Sequence, residues 1–206
     1  VQTCALPILL VTGLAYPLAT TGVAQFLLPQ AANGSLIRQG DTVVGSAVIG
    51  QSFSEARYFH PRPSATTAPD PKDARKTVDA PYNAGASAGS NQGPTSQTLI
   101  DTVKQRAVNY RAANGLAPDA PVPVDAITAS ASGLDPHISL ANAEAQLPRV
   151  AKARGLDPIQ VRHLLETSIE DRVLGLLGEP RVNVLKLNLA LNGLLVGAEK
   201  AQPATK

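Results

Sequence analysis

The sequence predicts an α+β fold in which one N-terminal transmembrane helix precedes a single mixed α/β extramembrane domain. No charged residue occurs before Arg38, and the stretch Cys4–Leu28 is strongly apolar. Beyond it, short β-branched segments alternate with segments of helical period, a mixture typical of α+β domains. About 170 residues remain for this domain, enough to build a core of their own. We assign residues 4–28 to the helix, 29–196 to the extramembrane domain and 197–206 to a polar tail.

The apolar stretch is long enough to cross a bilayer, since about 20 helical residues span a hydrocarbon core of about 30 Å. Gly13, Pro17 and Thr21 recur every four residues and share one helix face. Small residues on one face let a second helix approach closely, so we expect this face to contact a partner. The alternative is a cleaved secretory signal, whose apolar core usually runs only about 7–15 residues. The chain contains no Met, so we expect its native start to precede Val1.

Composition excludes several function classes. The net charge is +2 with 17% charged residues and no polybasic tract, which argues against a nucleic-acid partner. Aromatic residues make up only 3% of the chain and Trp is absent, so base-stacking platforms are not expected. The single cysteine, Cys4, excludes a disulfide, a CxxC pair and a thiolate zinc site within one chain.

The first half of the extramembrane domain reads mostly as turns. Asn33-Gly34 marks a turn, and the β-branched segment Thr42–Gly50 predicts a strand. Residues 51–94 show no sustained period. Within them, Tyr58–Ser64 sets aromatic side chains beside a cation, and Ser87–Pro94 resembles a glycine-serine nest able to bind an anion. For both, an ordered surface loop is the favoured interpretation.

Helix signals dominate the second half. Thr95 or Ser96 starts a helix that runs to Asn114, with Gly115 as the residue that ends it. Val124–Ala129 predicts a short strand. Ser139 caps a helix over Leu140–Arg154, closed by Gly155 and kinked by Pro148.

The next helix has the clearest start, with Asp157 as N-cap, Pro158 at the first position and Gln160 at the third, an aspartate variant of the capping box. We assign Glu166, Glu170, Asp171 and Arg172 to a charged helix face. Leu174–Pro180 turns the chain, and Arg181–Lys186 predicts a half-buried strand. Asn188–Leu195 continues as helix or strand.

No catalytic constellation is expected. Ser132, Asp135 and His137 have the residue types of a hydrolase triad, but triad members usually converge from separate elements. Three such residues within six positions, with Pro136 between them, favour a tight turn in which Asp135 and Ser139 bond the backbone. The histidines at 60, 137 and 163 form neither an HExxH motif nor an i,i+4 pair, so no metal site is expected.

A family resemblance extends from Thr12 to Leu191. Its matching runs are Gly13–Leu18, Gln30–Leu36, Val44–Ser46, Ile49–Gln51, Tyr58-Phe59, Arg62–Ala65, Gly89–Asn91, Gly93-Pro94, Val122–Asp125, Thr128–Ser139, Pro148–Ala151, Ala153-Arg154, Val182–Val184 and Leu187–Leu191. With these blocks in this order, the chain resembles the C subunit of the Kdp high-affinity potassium-transporting ATPase.

The resemblance implies a single-pass subunit of the bacterial inner membrane that is not itself an enzyme. Its partners are a channel-like potassium-translocating subunit, a P-type ATPase subunit and a small accessory membrane peptide. The family is described as a catalytic chaperone that raises the ATPase subunit's affinity for ATP. It implies no cofactor of the chain's own, with ATP shared with the ATPase subunit and potassium as the transported ion. The large domain is expected in the periplasm.

In the family, a glutamine of an LSxxQ-like segment is proposed to touch the nucleotide, and Gln160 occupies that place here. The segment reads Leu156-Asp157-Pro158-Ile159-Gln160, so an aspartate replaces the serine and repels phosphate. We therefore favour a capping role for Gln160. A periplasmic domain also has essentially no free ATP beside it, so we expect mechanical action at the potassium entrance.

The expected contact residues in the extramembrane domain come from the two loop blocks, namely Tyr58, Phe59, Arg62, Ser90 and Asn91. Two alternatives stay open. One is a membrane-anchored hydrolase that uses Ser132 and His137. The other is an exported binding protein released by signal cleavage.

Overall fold

The computed structural model describes residues 5–201. These residues form two compact units, one up to Val48 and the other from Ile49 onward. The α+β class is confirmed, with an N-terminal apolar helix followed by helices and small antiparallel sheets. The predicted boundary between residues 28 and 29 stays a prediction, and Cys4 lies outside the described residues.

The first unit begins with a continuous helix over Ala5–Leu27, long and apolar enough to cross a membrane and with none of its apolar window buried. It comprises α1 (Ala5–Leu10), a π-helical turn (Val11–Ala15) and α2 (Tyr16–Leu27). The wider turn lies just before Pro17, whose missing N–H removes an ordinary helical bond. The Thr12 hydroxyl donates to the Ile8 carbonyl over 2.8 Å, so this polar group needs no water.

A short helix and a hairpin complete the first unit. Helix α3 (Pro29–Ala32) is followed by strands β1 (Leu36–Gln39) and β2 (Thr42–Ser46), which pair antiparallel. The predicted strand Thr42–Gly50 therefore ends at Ser46, because the Ser46 hydroxyl turns back to donate to the Gly34 carbonyl over 2.7 Å.

The second unit packs helices against a three-stranded sheet. Its strands are β5 (His137–Ser139), β6 (Ile169–Glu170) and β7 (Arg181–Asn183), in the antiparallel order β5-β7-β6. Helices α6 (Leu140–Arg154) and α8 (Val184–Ala201) pack against it, and α7 (Pro158–Thr167) packs against both of these helices. The buried core includes Phe59, Ile138, Leu147, Val150, Val161, Leu165, Val182, Leu187 and Leu191. Burial of these side chains is the main stabilising contribution to the unit.

The predicted starts and ends of three helices are confirmed, whereas the kink predicted at Pro148 stays a prediction. Helix α4 (Gln97–Asn114) ends at Gly115 with φ +65°. The Ser139 hydroxyl accepts the Asn142 N–H at the start of α6, which runs continuously across Pro148. The Asp157 carboxylate accepts the Ile159 N–H at the start of α7.

Four further predictions about secondary structure need correction. Residues 51–94, predicted to lack regular structure, contain a hairpin of β3 (Thr67–Asp70) and β4 (Asp73–Asp79). Its many charged residues leave no alternation of apolar and polar side chains by which a strand could be recognised in the sequence. The predicted strand Val124–Ala129 is instead the single helical turn α5 (Val124–Ile127), since the Asp125 carboxylate accepts the Ser139 N–H.

The other two corrections lie near the end of the chain. The strand predicted over Arg181–Lys186 stops at Asn183, where α8 begins. Helix α7 ends at Thr167, so Glu170 belongs to a strand rather than to a charged helix face. Helix α8 continues through 197–201, while residues 202–206 of the predicted tail lie outside the described residues.

Candidate functional site

Two buried carboxamides hold the segment Tyr58–His60. Asn188 Oδ1 accepts the Phe59 N–H over 2.9 Å, and Asn188 Nδ2 donates to the Phe59 carbonyl over 3.0 Å. Gln146 makes the same pair with His60, over 2.7 and 3.1 Å. Each carboxamide thus pairs the backbone as a neighbouring strand does, and both are 1% exposed. The segment is fixed without belonging to a sheet.

Three arginine side chains also contact the segment Tyr58–His60, all of them at Tyr58. Arg149 donates to the Tyr58 carbonyl over 3.0 Å and to Gln146 Oε1 over 2.7 Å. The guanidinium groups of Arg57 and Arg154 each lie 5.1 Å from the centre of the Tyr58 ring, within range of a cation–π attraction. The Tyr58 side chain is half-buried, and Phe59 is fully buried in the core. The side chain of Phe59 therefore serves the core, whereas Tyr58 and Arg62 reach the surface.

A network of ionisable side chains extends across the three-stranded sheet, from β5 to β6. The Arg62 guanidinium contacts the Asp135 carboxylate over 2.9 Å, and His137 Nε2 lies 3.1 Å from Glu170 Oε2. His137 Nδ1 is 3.5 Å from Asp135, and the Lys186 ammonium lies 2.8 Å from Glu170 Oε1. Pairing of β5 with β7 and of β7 with β6 brings these groups together. Arg62, Asp135 and His137 line a cleft of about 280 Å³.

Both carboxylates of this network are held ionised. Partial burial by itself raises the pKa of Asp135, but hydrogen bonds from His137 and Arg62 outweigh burial and lower it. For Glu170, burial likewise raises the pKa, and the contacts with Lys186 and His137 lower it further than burial raises it. At pH values above the lowered pKa values of these carboxyls, the network therefore links β5, β6 and the segment that carries Arg62.

Ser132, Asp135 and His137 form a turn, as predicted. The Ser132 hydroxyl accepts the Leu134 N–H over 3.1 Å, and Asp135 Oδ1 accepts the His137 N–H over 3.0 Å. Both side chains are thus used by the local backbone, which is typical of ST and Asx turns. Within residues 5–201, no group of three or more His, Cys, Asp or Glu side chains is arranged to hold a metal ion.

The second loop block, Ser87–Pro94, is hydrogen-bonded to Ser132 through its first two residues. The Ser87 hydroxyl and the Ala88 N–H both donate to the Ser132 carbonyl, over 2.9 and 3.0 Å. Ser90 and Asn91 follow at the exposed surface, with Asn91 at φ +49°. This loop edge is available to a partner, and its role in contact or in anion binding stays a prediction.

Gln160 is exposed in the first turn of α7, and its side chain makes no hydrogen bond among the described residues. Asp157 caps the helix through the Ile159 N–H, as predicted, but the reciprocal hydrogen bond of a capping box, from the Gln160 side chain to the backbone, is not formed among the described residues. Nucleotide contact by Gln160 stays a prediction.

In the first unit, Gly13, Pro17 and Thr21 are exposed along the N-terminal helix. A Cβ built on Gly13 meets nothing within 4 Å, so the small-residue face is open. Its contact with a partner helix stays a prediction.

Sequence reasoning missed both carboxamides. The available signal was a polar residue inside an apolar helical stripe, as with Asn188 between Leu187 and Leu191. Buried amides in such positions need backbone partners, but sequence does not identify which backbone they pair with. Glu170 was missed as a partner of His137 because that contact depends on the register of the sheet.

Known proteins match nearly the whole chain. The family model described as KdpC, K+-transporting ATPase, c chain, matches residues 2–193. A potassium-transporting ATPase KdpC subunit of Bradyrhizobium diazoefficiens is 58% identical over 182 residues, which cover 88% of this chain and 89% of that protein. A subunit of the same name from Rhodopseudomonas palustris is 59% identical, and the match covers 91% of this chain and 92% of that protein. Another from Methylobacterium nodulans is also 59% identical, and the match covers 90% of each protein.

These matches agree with the order of the elements, an apolar N-terminal helix followed by an α+β unit. On this evidence the chain belongs to the KdpC family, the c chain of the K+-transporting ATPase.

Proposed function

We propose that this chain is a non-catalytic subunit of an ATP-driven high-affinity potassium import complex. It stabilises the assembly and acts as a catalytic chaperone that raises the ATPase subunit's affinity for ATP. The observation that carries this proposal is the match to potassium-transporting ATPase KdpC subunits over about nine-tenths of both chains. The partners are the channel-like potassium-translocating subunit, the P-type ATPase subunit that hydrolyses ATP and the small accessory peptide.

The chain crosses the bacterial inner membrane once and places its large domain in the periplasm. An apolar helix of 23 residues without a buried side chain in its apolar window supports the crossing. The open face at Gly13 supports close packing of this helix against a helix of a partner.

The domain acts mechanically, as a rigid body that braces or covers the potassium entrance. Its contact edge consists of Tyr58, Arg62, Ser90 and Asn91. The carboxamides of Gln146 and Asn188 support this role, because a segment that is already fixed loses little conformational entropy when a partner binds. Such pre-organisation favours a stable assembly.

The effect on ATP is indirect. Gln160 lies in the same helical turn as the exposed Asp157 carboxylate, whose charge opposes a nucleotide phosphate. A periplasmic domain also faces essentially no free ATP. The ATPase subunit therefore responds to this chain through the membrane-embedded subunits.

The test is the ATP dependence of hydrolysis by the assembled complex carrying Gln160→Ala. We expect the ATP concentration at half-maximal rate to stay within about twofold of wild type. Gly13→Leu is the contrasting variant, since a bulky side chain on the open helix face lowers recovery of the chain with its partners. A rise of about tenfold or more in half-maximal ATP for Gln160→Ala, with assembly intact, would instead establish direct contact.

A further inference from the structure

The turn between β6 and β7 exposes four aliphatic side chains. Val173, Leu174, Leu176 and Leu177 are 52, 88, 81 and 64% exposed. We call the segment Val173–Leu177 the aliphatic turn. Four exposed aliphatic side chains within five consecutive residues are unusual on a soluble surface, where such clusters point to an interaction site.

The shape of the aliphatic turn is fixed by its own backbone. The Val173 N–H donates to the Leu177 carbonyl over 2.9 Å, and the Leu177 N–H donates to the Val173 carbonyl over 3.0 Å. Leu174 at φ +54° and Gly175 at φ +72° turn the chain at the tip. Leucine seldom adopts a positive φ, so the backbone hydrogen bonds between Val173 and Leu177 hold Leu174 in this conformation against its intrinsic preference. Below the turn, Arg172 and Glu179 form an ion pair of 2.6 Å.

The charges around the turn disfavour a lipid surface as its partner. Residues 169–183 carry three acidic side chains, Glu170, Asp171 and Glu179, against the two cations Arg172 and Arg181. Segments that insert at anionic membrane surfaces carry an excess of cations and often a Trp or Tyr at headgroup depth. This stretch has neither an excess of cations nor an aromatic residue.

A protein pocket fits these features better. A pre-formed convex turn with leucines at its tip suits a concave site of matching shape, where few anchors supply most of the binding energy. The charges of Arg172 and Glu179, beside the turn, neutralise each other. A partner pocket therefore needs apolar side chains that contact the leucines and no charged groups to balance this pair.

We propose that the aliphatic turn inserts into an apolar pocket of a protein partner within the transport complex, with Leu174 and Leu176 as its anchors. The partner surface is lined by aliphatic or aromatic side chains and lies on the same side of the membrane as this domain. This inference rests on the proposed function, because that function supplies the multisubunit assembly.

The first arm of the test measures recovery of the full-length chain with affinity-tagged partner subunits from membranes. Leu176→Asp places a charge at the anchor, and we expect it to lower recovery about tenfold. Leu176→Phe keeps an apolar side chain and retains assembly. Ile159→Asp is the matched control, since Ile159 is 74% exposed elsewhere on the domain. Thermal unfolding of each variant verifies that the fold is unchanged. Recovery of Leu176→Asp equal to wild type overturns the proposal.

The second arm tests lipid directly. The chain has no Trp, so Leu176→Trp introduces a single fluorescent reporter in the full-length chain reconstituted without partners. In vesicles that contain brominated lipids, we expect a water-exposed emission and no quenching. Quenching at this position, with none for Ile159→Trp, assigns the turn to the membrane surface and overturns the proposal.

The two proposals fail separately. Normal assembly of Leu176→Asp, together with labelling of a cysteine at Ser90 from outside the cell, removes the inference about the turn and leaves the proposed function in place. Absence of that labelling in intact cells removes the periplasmic placement itself.

Discussion

The side chain of Asn188 makes two hydrogen bonds with the backbone of Phe59, a residue 129 positions earlier in the chain. The pair joins the last helix to a segment that belongs to no strand. Because both groups are buried, the carboxamide satisfies polar atoms that water cannot reach. This contact, with the parallel one between Gln146 and His60, fixes the segment that leads to Arg62.

Replacement of Asn188 by Ala leaves the Phe59 N–H and carbonyl buried without partners. We expect the free energy of unfolding to fall by about 3 kcal/mol. Chemical denaturation of the full-length chain in detergent, followed by circular dichroism, measures the loss. Asn109→Ala is the control, since the Asn109 side chain is exposed and, among the described residues, accepts a hydrogen bond only from Gln105 Nε2. Equal stability of the two variants would show that the hydrogen bonds between Asn188 and Phe59 do not stabilise the fold.

Gly133 marks a close approach between two loops. Its φ is +68°, and a Cβ built there lies 2.6 Å from both the Ala88 carbonyl oxygen and Thr66 Cγ2. We expect Gly133→Ala to lower the free energy of unfolding by about 2 kcal/mol or more, from backbone strain and the clash together. The matched control is Gly93→Ala, where a Cβ meets nothing within 4 Å. Indistinguishable melting temperatures for the two variants would contradict the close packing of these loops.

Helix boundaries could be predicted from the sequence because their signals are local. Asp157-Pro158 starts α7, and Gly115 and Gly155 end α4 and α6 in the left-handed conformation. A capping residue and a positive φ depend on neighbours within one turn. Such signals therefore do not depend on contacts with distant parts of the chain.

The failures at α5 and at Glu170 are non-local. The turn α5 was predicted as a strand because its β-branched residues outweighed a contact between Asp125 and the start of α6, 14 positions away. Glu170 was assigned to a helix face, although sheet register sets it beside His137. Of the candidate site, the sequence therefore predicted only the parts formed by local turns, as at Ser132 and Asp135.

The lowered pKa values of Asp135 and Glu170 predict a loss of stability in acid. A carboxyl whose pKa is lower in the folded than in the unfolded chain stabilises the fold fully above the unfolded value, and this contribution disappears as the pH falls through the folded value. We expect the melting temperature to be flat above about pH 5 and to fall below it.

Asp135→Asn tests this origin. The variant should melt below wild type at neutral pH, because Arg62 loses its partner, and the difference should shrink as the pH falls. Glu144→Gln, at an exposed carboxylate 3.7 Å from Arg162, should show almost no difference at either end. A constant gap between Asp135→Asn and wild type from pH 7 to acid would refute the assignment.

The most direct test of an indirect, periplasmic role is the side of the membrane on which the domain lies. In a Cys4→Ser background, a single cysteine is placed at the exposed Ser90, or at Thr3 before the helix as the control. Cells are treated with a thiol reagent that does not cross the inner membrane. We predict labelling of the Ser90 cysteine in intact cells on the full-length chain, and labelling of the Thr3 cysteine only after lysis. The opposite pattern would place the domain in the cytoplasm and make direct contact between Gln160 and ATP the leading explanation.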